Sequence, residues 1–280
     1  MIRKAQKQKT KLRIGIAGVS GSGKTYSSLV LAKGLTDITR VCVIDTENGS
    51  ADAYTDIGEY SVYPLTAPYT PERYIEAIKE IENSKQFDVC IIDSATHEWN
   101  GKGGCLEIND LIARTKFRGN TYNAWSETTP RHRAFIDAIV QSPLHMIVTL
   151  RTKTEHSQEK DERGKVTVKK LGLKEEQRDG MEYEFTTHFT IDRERHYTIA
   201  SKDRTGIFSE LDPFIITEEI GKKFIEWANA GVEPVKEEKN EKTVISNMQY
   251  AFNAIAKCET EKEIATVYAK AEKSKKYTED

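Results

Sequence analysis

The sequence predicts an α/β protein with a mainly parallel central sheet and helices on both of its faces. Three observations predict this fold. Short runs rich in valine and isoleucine alternate with helical patterns along residues 12–150. These runs are almost continuously apolar, which is typical of strands buried on both sides. The first run leads through a glycine-rich turn into a helix, so the chain opens with a strand–loop–helix unit.

Each element follows from its local pattern. Thr70 and Pro71 predict a helix start, because threonine is a good N-cap and proline suits the first helical position. Thr129 and Pro130 predict a second start of this kind. The predicted strands are residues 12–17, 40–45, 87–93 and 144–150, and the predicted helices are residues 24–35, 71–83 and 129–141.

The pattern changes after residue 150. Residues 152–180 are highly charged and contain three glycines, which predicts a long loop or a mobile hairpin. Further predictions are strands at 183–192 and 196–202, a helix at 217–230, a polar linker at 231–242 and a small helical hairpin at 243–280, where Thr260 and Glu263 form a capping box. Residues 1–11 form a short basic arm.

Composition limits the function classes. The net charge is −2, so a nucleic-acid site has to be local. The four cysteines contain no C-x-x-C pair, which favours buried thiols in a reducing cytoplasm. The basic start has no apolar segment behind it, and no apolar run approaches membrane-spanning length. We therefore expect a cytoplasmic protein with no membrane partner.

Residues 18–25, GVSGSGKT, fit the P-loop pattern G-x-x-x-x-G-K-[ST] between a predicted strand and helix. Backbone N–H groups of such a loop point at phosphate oxygens, and the helix N-terminus adds partial positive charge. The alternative is a chance glycine-rich turn. The motif predicts ATP as ligand, with Lys24 at the β- and γ-phosphates and Thr25 on Mg²⁺. The predicted nucleotide-contacting residues are Gly18, Ser20, Gly21, Ser22, Gly23, Lys24, Thr25 and Tyr26.

Residues 87–93 have the form of a Walker B strand, in which Asp93 would hold the metal; an ordinary strand-ending aspartate is the alternative. Hydrolysis also needs a carboxylate that orients water. Glu47 and Glu98 both follow the carboxyl ends of predicted strands, where open α/β sheets bind ligands. Spacing alone does not choose between them. Lys202 and Arg204 occupy alternate positions of an extended segment and so share a face suited to one anion.

These motifs, in this order, resemble the core of RecA-type recombinases and hexameric helicases over residues 10–210. Asp45-Thr46-Glu47 resembles the segment that carries the catalytic glutamate in that group, so the resemblance favours Glu47 as the base. Lys202-x-Arg204 resembles the pair that reaches a neighbouring subunit's nucleotide. The resemblance thus implies that residues 12–230 form a RecA-like P-loop ATPase domain, in a homo-oligomer that is a ring or a filament.

Within that superfamily the chain resembles phage-encoded single-strand annealing proteins of the Sak group. The resemblance rests on residues 124–126 (AWS), 151–155 (RTKTE), 177–185 (QRDGMEYEF) and 201–204 (SKDR). It implies a role in homologous recombination with single-stranded DNA, a single-strand binding protein as partner, and the host cytoplasm as location. A translocase motor and a nucleotide-gated recruitment module remain the alternatives.

In a RecA-type core, two loops hold single-stranded DNA. The matching segments here are residues 99–104 and 152–180. Trp99 would stack on a base and Lys102 would contact phosphate; packing of Trp99 in the core is the alternative. The second segment mixes basic and acidic residues, so its net charge is small. The predicted DNA-binding residues are Trp99, Lys102, Lys153, Arg163, Lys165, Lys169 and Lys170.

Overall fold

The computed structural model describes residues 4–160, 166–208 and 211–232. The chain divides into two units, Met1–Val232 and Glu233–Asp280, and the described residues belong to the first. The predicted hairpin at 243–280 and almost all of the predicted linker at 231–242 therefore lie outside the described residues. Residues 7–10 of the basic arm run beside the end of the last described helix, where the Lys9 N–H donates to the Val232 carbonyl at 2.8 Å.

An eight-stranded sheet forms the centre of the molecule, with the strand order β3-β2-β4-β5-β1-β7-β8. Neighbours from β3 to β7 pair in parallel, β8 pairs antiparallel with β7, and β6 pairs antiparallel with the outer part of β5. The mainly parallel α/β fold is thus confirmed. The strands are β1 Arg13–Gly18, β2 Val41–Asp45, β3 Ser61–Pro64, β4 Val89–Asp93, β5 His145–Lys160, β6 Val166–Glu175, β7 Thr187–Ile191 and β8 Thr198–Asp203.

Helices cover both faces of this sheet. They are α1 Lys24–Leu35, α2 Pro71–Ser84, α3 Thr96–Asn100, α4 Cys105–Lys116, α5 Thr121–Gln141 and α6 Glu218–Asn229. One core lies under α1 and α6, and contains Leu29 and Phe224. The other lies under α2 and α5, and contains Tyr74 and Phe135. None of the helices in the described part of the chain is long and apolar enough to cross a membrane.

Two sequence-based expectations need correction. The helix expected at Thr129 starts at Thr121, because the Asn120 side chain caps that end and Pro130 is accommodated inside the helix. Residues 183–192 are only partly a strand, since Met181–Glu184 form a 3-10 turn before β7. The edge strand β3 and helices α3 and α4 were not predicted. Residues 152–175 are largely a two-stranded hairpin, the second of the two forms expected there.

Candidate functional site

The loop between β1 and α1 has the shape that its glycines permit. Gly21 and Gly23 adopt left-handed φ angles of 80° and 86°. A Cβ on Gly18 would stand 2.4 Å from the Ser22 hydroxyl oxygen, so the turn requires glycine there. Helix α1 begins at Lys24, and its first N–H groups have no partner within the helix. The loop therefore presents backbone donors and a helix N-terminus to one place.

A cavity of about 160 Å³ lies against this loop. It is lined by Ser20, Gly21, Gly23, Lys24, Thr25, Glu47, Ser50, Tyr54 and Arg151. The Ser50 hydroxyl in this lining is buried and has no hydrogen-bond partner among the described residues. Tyr26 does not line the cavity, but its ring packs edge-on against Tyr54, with 5.9 Å between centroids. Gly18 and Ser22 belong to the loop but do not line the cavity.

Thr25 and Asp93 meet beside the cavity. The Thr25 hydroxyl donates to Asp93 Oδ2 at 2.5 Å, and the Thr149 hydroxyl donates to Asp93 Oδ1 at 2.5 Å. Burial raises the pKa of Asp93, and the hydrogen bonds from Thr149 and Thr25 act in the opposite direction. A hydroxyl and a carboxylate oxygen on adjacent elements form the hard donor set that Mg²⁺ prefers, so these residues fit that ion.

Glu47 lines the same cavity and is joined to Arg151. The guanidinium Nε of Arg151 donates to Glu47 Oε1 at 2.8 Å. Burial raises the pKa of Glu47, but the hydrogen bond and charge of Arg151, with the charges of Lys24 and His97, outweigh it and leave the pKa below its ordinary value. Glu47 is therefore ionised near neutral pH. Arg151 was not singled out from sequence for any role; it directly follows the predicted strand 144–150 and lies within the observed β5.

Lys24 is almost fully buried in the loop. Its ammonium donates to the Val19 carbonyl at 3.0 Å. Burial lowers its pKa, while the nearby carboxylates of Glu47 and Asp93 counteract this effect. The ammonium is thus held inside the loop at the edge of the cavity, close to where the backbone donors converge.

Glu98, the alternative base, lies elsewhere. Its side chain is fully buried between three helices, where Oε1 accepts from the Cys105 thiol at 3.0 Å and lies 3.1 Å from His132 Nδ1. Gln177 Nε2 approaches Oε2 at 3.4 Å. The carboxylate is thus enclosed by its own partners and does not line the P-loop cavity.

Lys202 and Arg204 do converge, but on their own chain. Lys202 donates to the carbonyls of Glu182, at 3.0 Å, and of Tyr183. Arg204 donates to the same Tyr183 carbonyl at 2.9 Å. Lys202 pairs with His188 near the start of β7, whereas the P-loop adjoins the end of that strand. The two cations therefore lie at the amino-terminal end of the parallel strands, whereas this chain's own P-loop lies at their carboxyl end.

Trp99 is part of α3 and not of a loop. Its ring stacks on that of Trp125, with 5.4 Å between centroids and 17° between planes. The Arg178 guanidinium lies 5.5 Å from the Trp125 ring centre. The glycines after Trp99 serve close packing, since a Cβ on Gly103 would stand 2.5 Å from Pro68. Arg178 lies within the predicted DNA-binding segment 152–180, whereas Trp125 was not predicted as a DNA-binding residue.

The other predicted DNA-binding residues are scattered or undescribed. Lys102 is exposed, and Lys153 is exposed with its ammonium 3.7 Å from Glu176. Lys169 and Lys170 lie on β6 by their backbone, paired with Ser157 and His156, and their side chains are outside the described part. Arg163 and Lys165 fall outside the described residues altogether.

Comparison with known proteins gives one positive finding. The sequence model of the AAA domain family matches residues 10–212, which is most of the described unit. No curated protein matches the chain. The matched residues contain the P-loop, Glu47 and Arg151, which line one cavity, and Asp93, which contacts Thr25 beside it. The chain therefore belongs to the AAA domain family, and its core is a nucleotide-binding P-loop ATPase.

Proposed function

We propose that this protein is a Mg²⁺-dependent, RecA-like ATPase that acts on single-stranded DNA in homologous recombination. It would promote strand annealing together with a single-strand binding protein. The observation that carries the ATPase step is that Lys24, Thr25 and Glu47 line one cavity at the carboxyl edge of a parallel sheet, and that Asp93 contacts Thr25 beside it. Open α/β sheets bind their ligands at that edge.

Each residue has a chemical role in this proposal. Thr25 and Asp93 would hold Mg²⁺, which supplies charge neutralisation for the phosphates. Lys24 stabilises negative charge on the phosphates once it leaves the Val19 carbonyl. Glu47 orients a water molecule and accepts its proton, and its low pKa keeps it ready as an acceptor at neutral pH. The buried setting strengthens each of these electrostatic contacts.

The DNA step is supported by a cleft beside the tryptophan stack. The cleft has a volume of about 570 Å³, and Trp99, Trp125, Lys153, Lys174 and Arg178 are in its lining. Aromatic faces bind bases without sequence preference, and cations beside them bind the phosphates between bases. Glu175, Glu176 and Asp179 share the lining, so the cleft is not strongly positive. This combination favours stacking over charge as the main source of affinity.

Assembly is the third part of the proposal. Lys202 and Arg204 share a face, as the sequence predicts, and they lie away from their own chain's P-loop. In a ring or filament, a neighbouring subunit's nucleotide would replace the Tyr183 carbonyl as their acceptor. Mixing Arg204→Ala with Glu47→Gln protein should then restore some hydrolysis, because one type of interface carries both intact groups. If mixed oligomers form and stay inactive, the pair does not act between subunits.

The function is tested by ATP turnover and annealing in the same preparations. We expect single strands to stimulate turnover more than duplex DNA, and complementary oligonucleotides to anneal faster with the protein. Trp125→Ala should weaken single-strand binding about ten-fold, from typical stacking energies, with little change in salt dependence. Tyr122→Ala is the matched control, because Tyr122 is an exposed aromatic residue on α5 that does not line this cleft.

Other outcomes would select a different function. Directional movement on duplex DNA with strongly stimulated turnover would indicate a translocase. Nucleotide binding with neither strand retention nor annealing would indicate a recruitment module. If deletion of residues 243–280 removes only the gain on strands coated by a single-strand binding protein, that segment recruits the partner.

A further inference from the structure

The turn between β7 and β8, residues 192–197, adjoins the P-loop. Strand β7 is parallel to β1, and its last residue, Ile191, pairs with Gly18 at the start of the loop. The Ile191 carbonyl lies only 2.9 Å from where a Cβ on Gly18 would stand. The chain therefore emerges from β7 directly beside the phosphate-binding backbone.

Asp192 fixes the shape of this turn. Its Oδ1 accepts the N–H groups of Glu194 and Arg195 at 2.7 and 3.0 Å, and its Oδ2 accepts the N–H of Tyr197 at 2.9 Å. These backbone hydrogen bonds hold the pKa of Asp192 below its usual range, so the carboxylate stays ionised. His196 completes the turn in a left-handed conformation, with φ 57°.

Two side chains of the turn lie against the P-loop. His196 Nδ1 donates to the Ser22 carbonyl at 2.9 Å, and because a carbonyl only accepts, this ring nitrogen carries a proton. Arg193 Nε lies 3.8 Å from where a Cβ on Gly21 would stand. Among the described residues no carboxylate pairs with Arg193. An exposed guanidinium thus stands beside the loop backbone without a counter-ion.

The charged groups around the cavity sum to zero, so Arg193 would supply net positive charge there. Lys24 and Arg151 are positive, and Glu47 and Asp93 are negative, so these four groups cancel. A triphosphate remains negatively charged even with a divalent metal, and a charge-assisted hydrogen bond from a further cation would strengthen its binding. Lys202 and Arg204 are at the opposite edge of the sheet and donate to a carbonyl. Arg193, in contrast, is a cation that the turn holds beside Gly21 of the P-loop.

We propose that Arg193 binds the phosphates of the nucleotide from within the same chain, held in place by the Asp192 turn and the His196–Ser22 contact. The ligand class is a nucleoside di- or triphosphate. The β- and γ-phosphates are expected beside the Lys24 ammonium, which donates to the Val19 carbonyl, two residues before Gly21. Because Arg193 lies beside Gly21, it is placed to contact these outer phosphates. A monophosphate lacks them, and Arg193 therefore distinguishes polyphosphates from monophosphates. This assignment rests on the nucleotide function of the P-loop.

The test is titration of the full chain with ATP, ADP and AMP, each with Mg²⁺. Arg193→Ala should weaken ATP and ADP binding about ten-fold or more, as expected for loss of a charged hydrogen bond, and should change AMP binding little. Arg193→Lys should recover part of the loss. Arg195→Ala is the matched control, because it removes the same charge from the same turn but no contact of its side chain with the P-loop is described. Equal unfolding temperatures establish that the variants are folded.

The results separate this inference from the underlying function. If the parent binds ATP, Lys24→Ala does not, and Arg193→Ala binds like the parent or like Arg195→Ala, then the assignment of Arg193 is wrong and the P-loop function stands. A uniform loss for ATP, ADP and AMP in Arg193→Ala would also overturn it, since that pattern indicates a distorted loop. If the parent binds no nucleotide at all, both proposals fail.

Discussion

At the residue scale, the ion pair between Glu47 and Arg151 controls the protonation of the candidate base. Burial alone would raise the pKa of Glu47, and Arg151 contributes most of the opposing effect. The position of Glu47 after β2 was predictable, because ligand-binding residues follow the carboxyl ends of parallel strands. Arg151 lies within β5, just past the apolar part of that strand, and a single arginine there carries no motif. Its role emerges only from its contact with Glu47.

Replacing Arg151 should change the pH dependence of catalysis. Arg151→Gln removes the positive charge, so the pKa of Glu47 rises toward the value that burial favours. A general base works only when deprotonated, and the acidic limb of the kcat profile should therefore move to higher pH. The measurement is ATP turnover from pH 5 to pH 9, with the exposed Arg114→Gln as control. An acidic limb that stays at the parent's pH would show that Glu47 is not the titrating base.

His145 gives a stability prediction with a defined sign. Burial lowers its pKa from 6.5 to about 3, and Nδ1 accepts the Leu12 N–H at 3.1 Å. The unfolded chain then binds a proton below pH 6.5 that the folded chain does not. The contribution of neutral His145 to the free energy of unfolding is complete above pH 6.5. It declines by about 1.4 kcal/mol per pH unit as the pH falls toward 3.

The matched variant is His145→Asn, whose amide oxygen accepts a hydrogen bond but does not titrate. Chemical denaturation between pH 7.5 and pH 5.5 should show a steeper loss of unfolding free energy in the parent than in the variant. Parallel curves for the two proteins would mean that His145 titrates normally in the folded state.

At the element scale, the α1–α6 contact depends on two glycines. A Cβ on Gly34 would stand 2.1 Å from the Glu218 carbonyl oxygen, and one on Gly221 would stand 2.3 Å from the Leu31 carbonyl oxygen. The backbones therefore touch, which brings Leu29 and Phe224 into one core. The amphipathic pattern predicted α6, but it could not show that α6 packs on the helix that follows the P-loop.

Gly34→Ala should separate these helices. Although alanine favours a helix intrinsically, the clash is with backbone that cannot rotate away, and overpacking of this kind costs about 1–3 kcal/mol. Lys223→Ala is the control, because Lys223 is exposed on α6. In denaturant unfolding, the free energy of unfolding of Gly34→Ala should be well below that of the parent and that of Lys223→Ala. A gain in stability would mean that the two helices are not in backbone contact.

The tryptophan stack shows where element prediction from sequence fails. The resemblance to a RecA-type core places residues 99–104 in a loop, and residues 101–104 do connect α3 to α4 without helix. Trp99, however, belongs to α3, where its ring packs on Trp125. Pro130 likewise predicted a helix start, yet α5 continues through it with Ala124 and Phe135 buried on its inner face. Long-range packing is not visible in a local pattern.

At the scale of the whole molecule, one strand links the two candidate sites. Arg151 lies on β5 at the nucleotide cavity, and Lys153, two residues further on the same face of the strand, lies at the tryptophan cleft. The Glu47–Arg151 pair therefore adjoins the base of the β5–β6 hairpin. The parallel sheet brings these residues together, and the alternating apolar runs were sufficient to predict that sheet.

If Glu47 is the base for ATP hydrolysis at the P-loop cavity, its replacement should stop the chemical step and spare binding. The most direct measurement is single-turnover hydrolysis by Glu47→Gln at saturating ATP, beside the parent and Lys24→Ala. Glu47→Gln should bind ATP as the parent does and hydrolyse it about 10²–10⁴-fold more slowly, while Lys24→Ala should lose binding or hydrolysis. Parent-like turnover in Glu47→Gln, with the loss appearing in Glu98→Gln instead, would show that Glu98 and not Glu47 is the base.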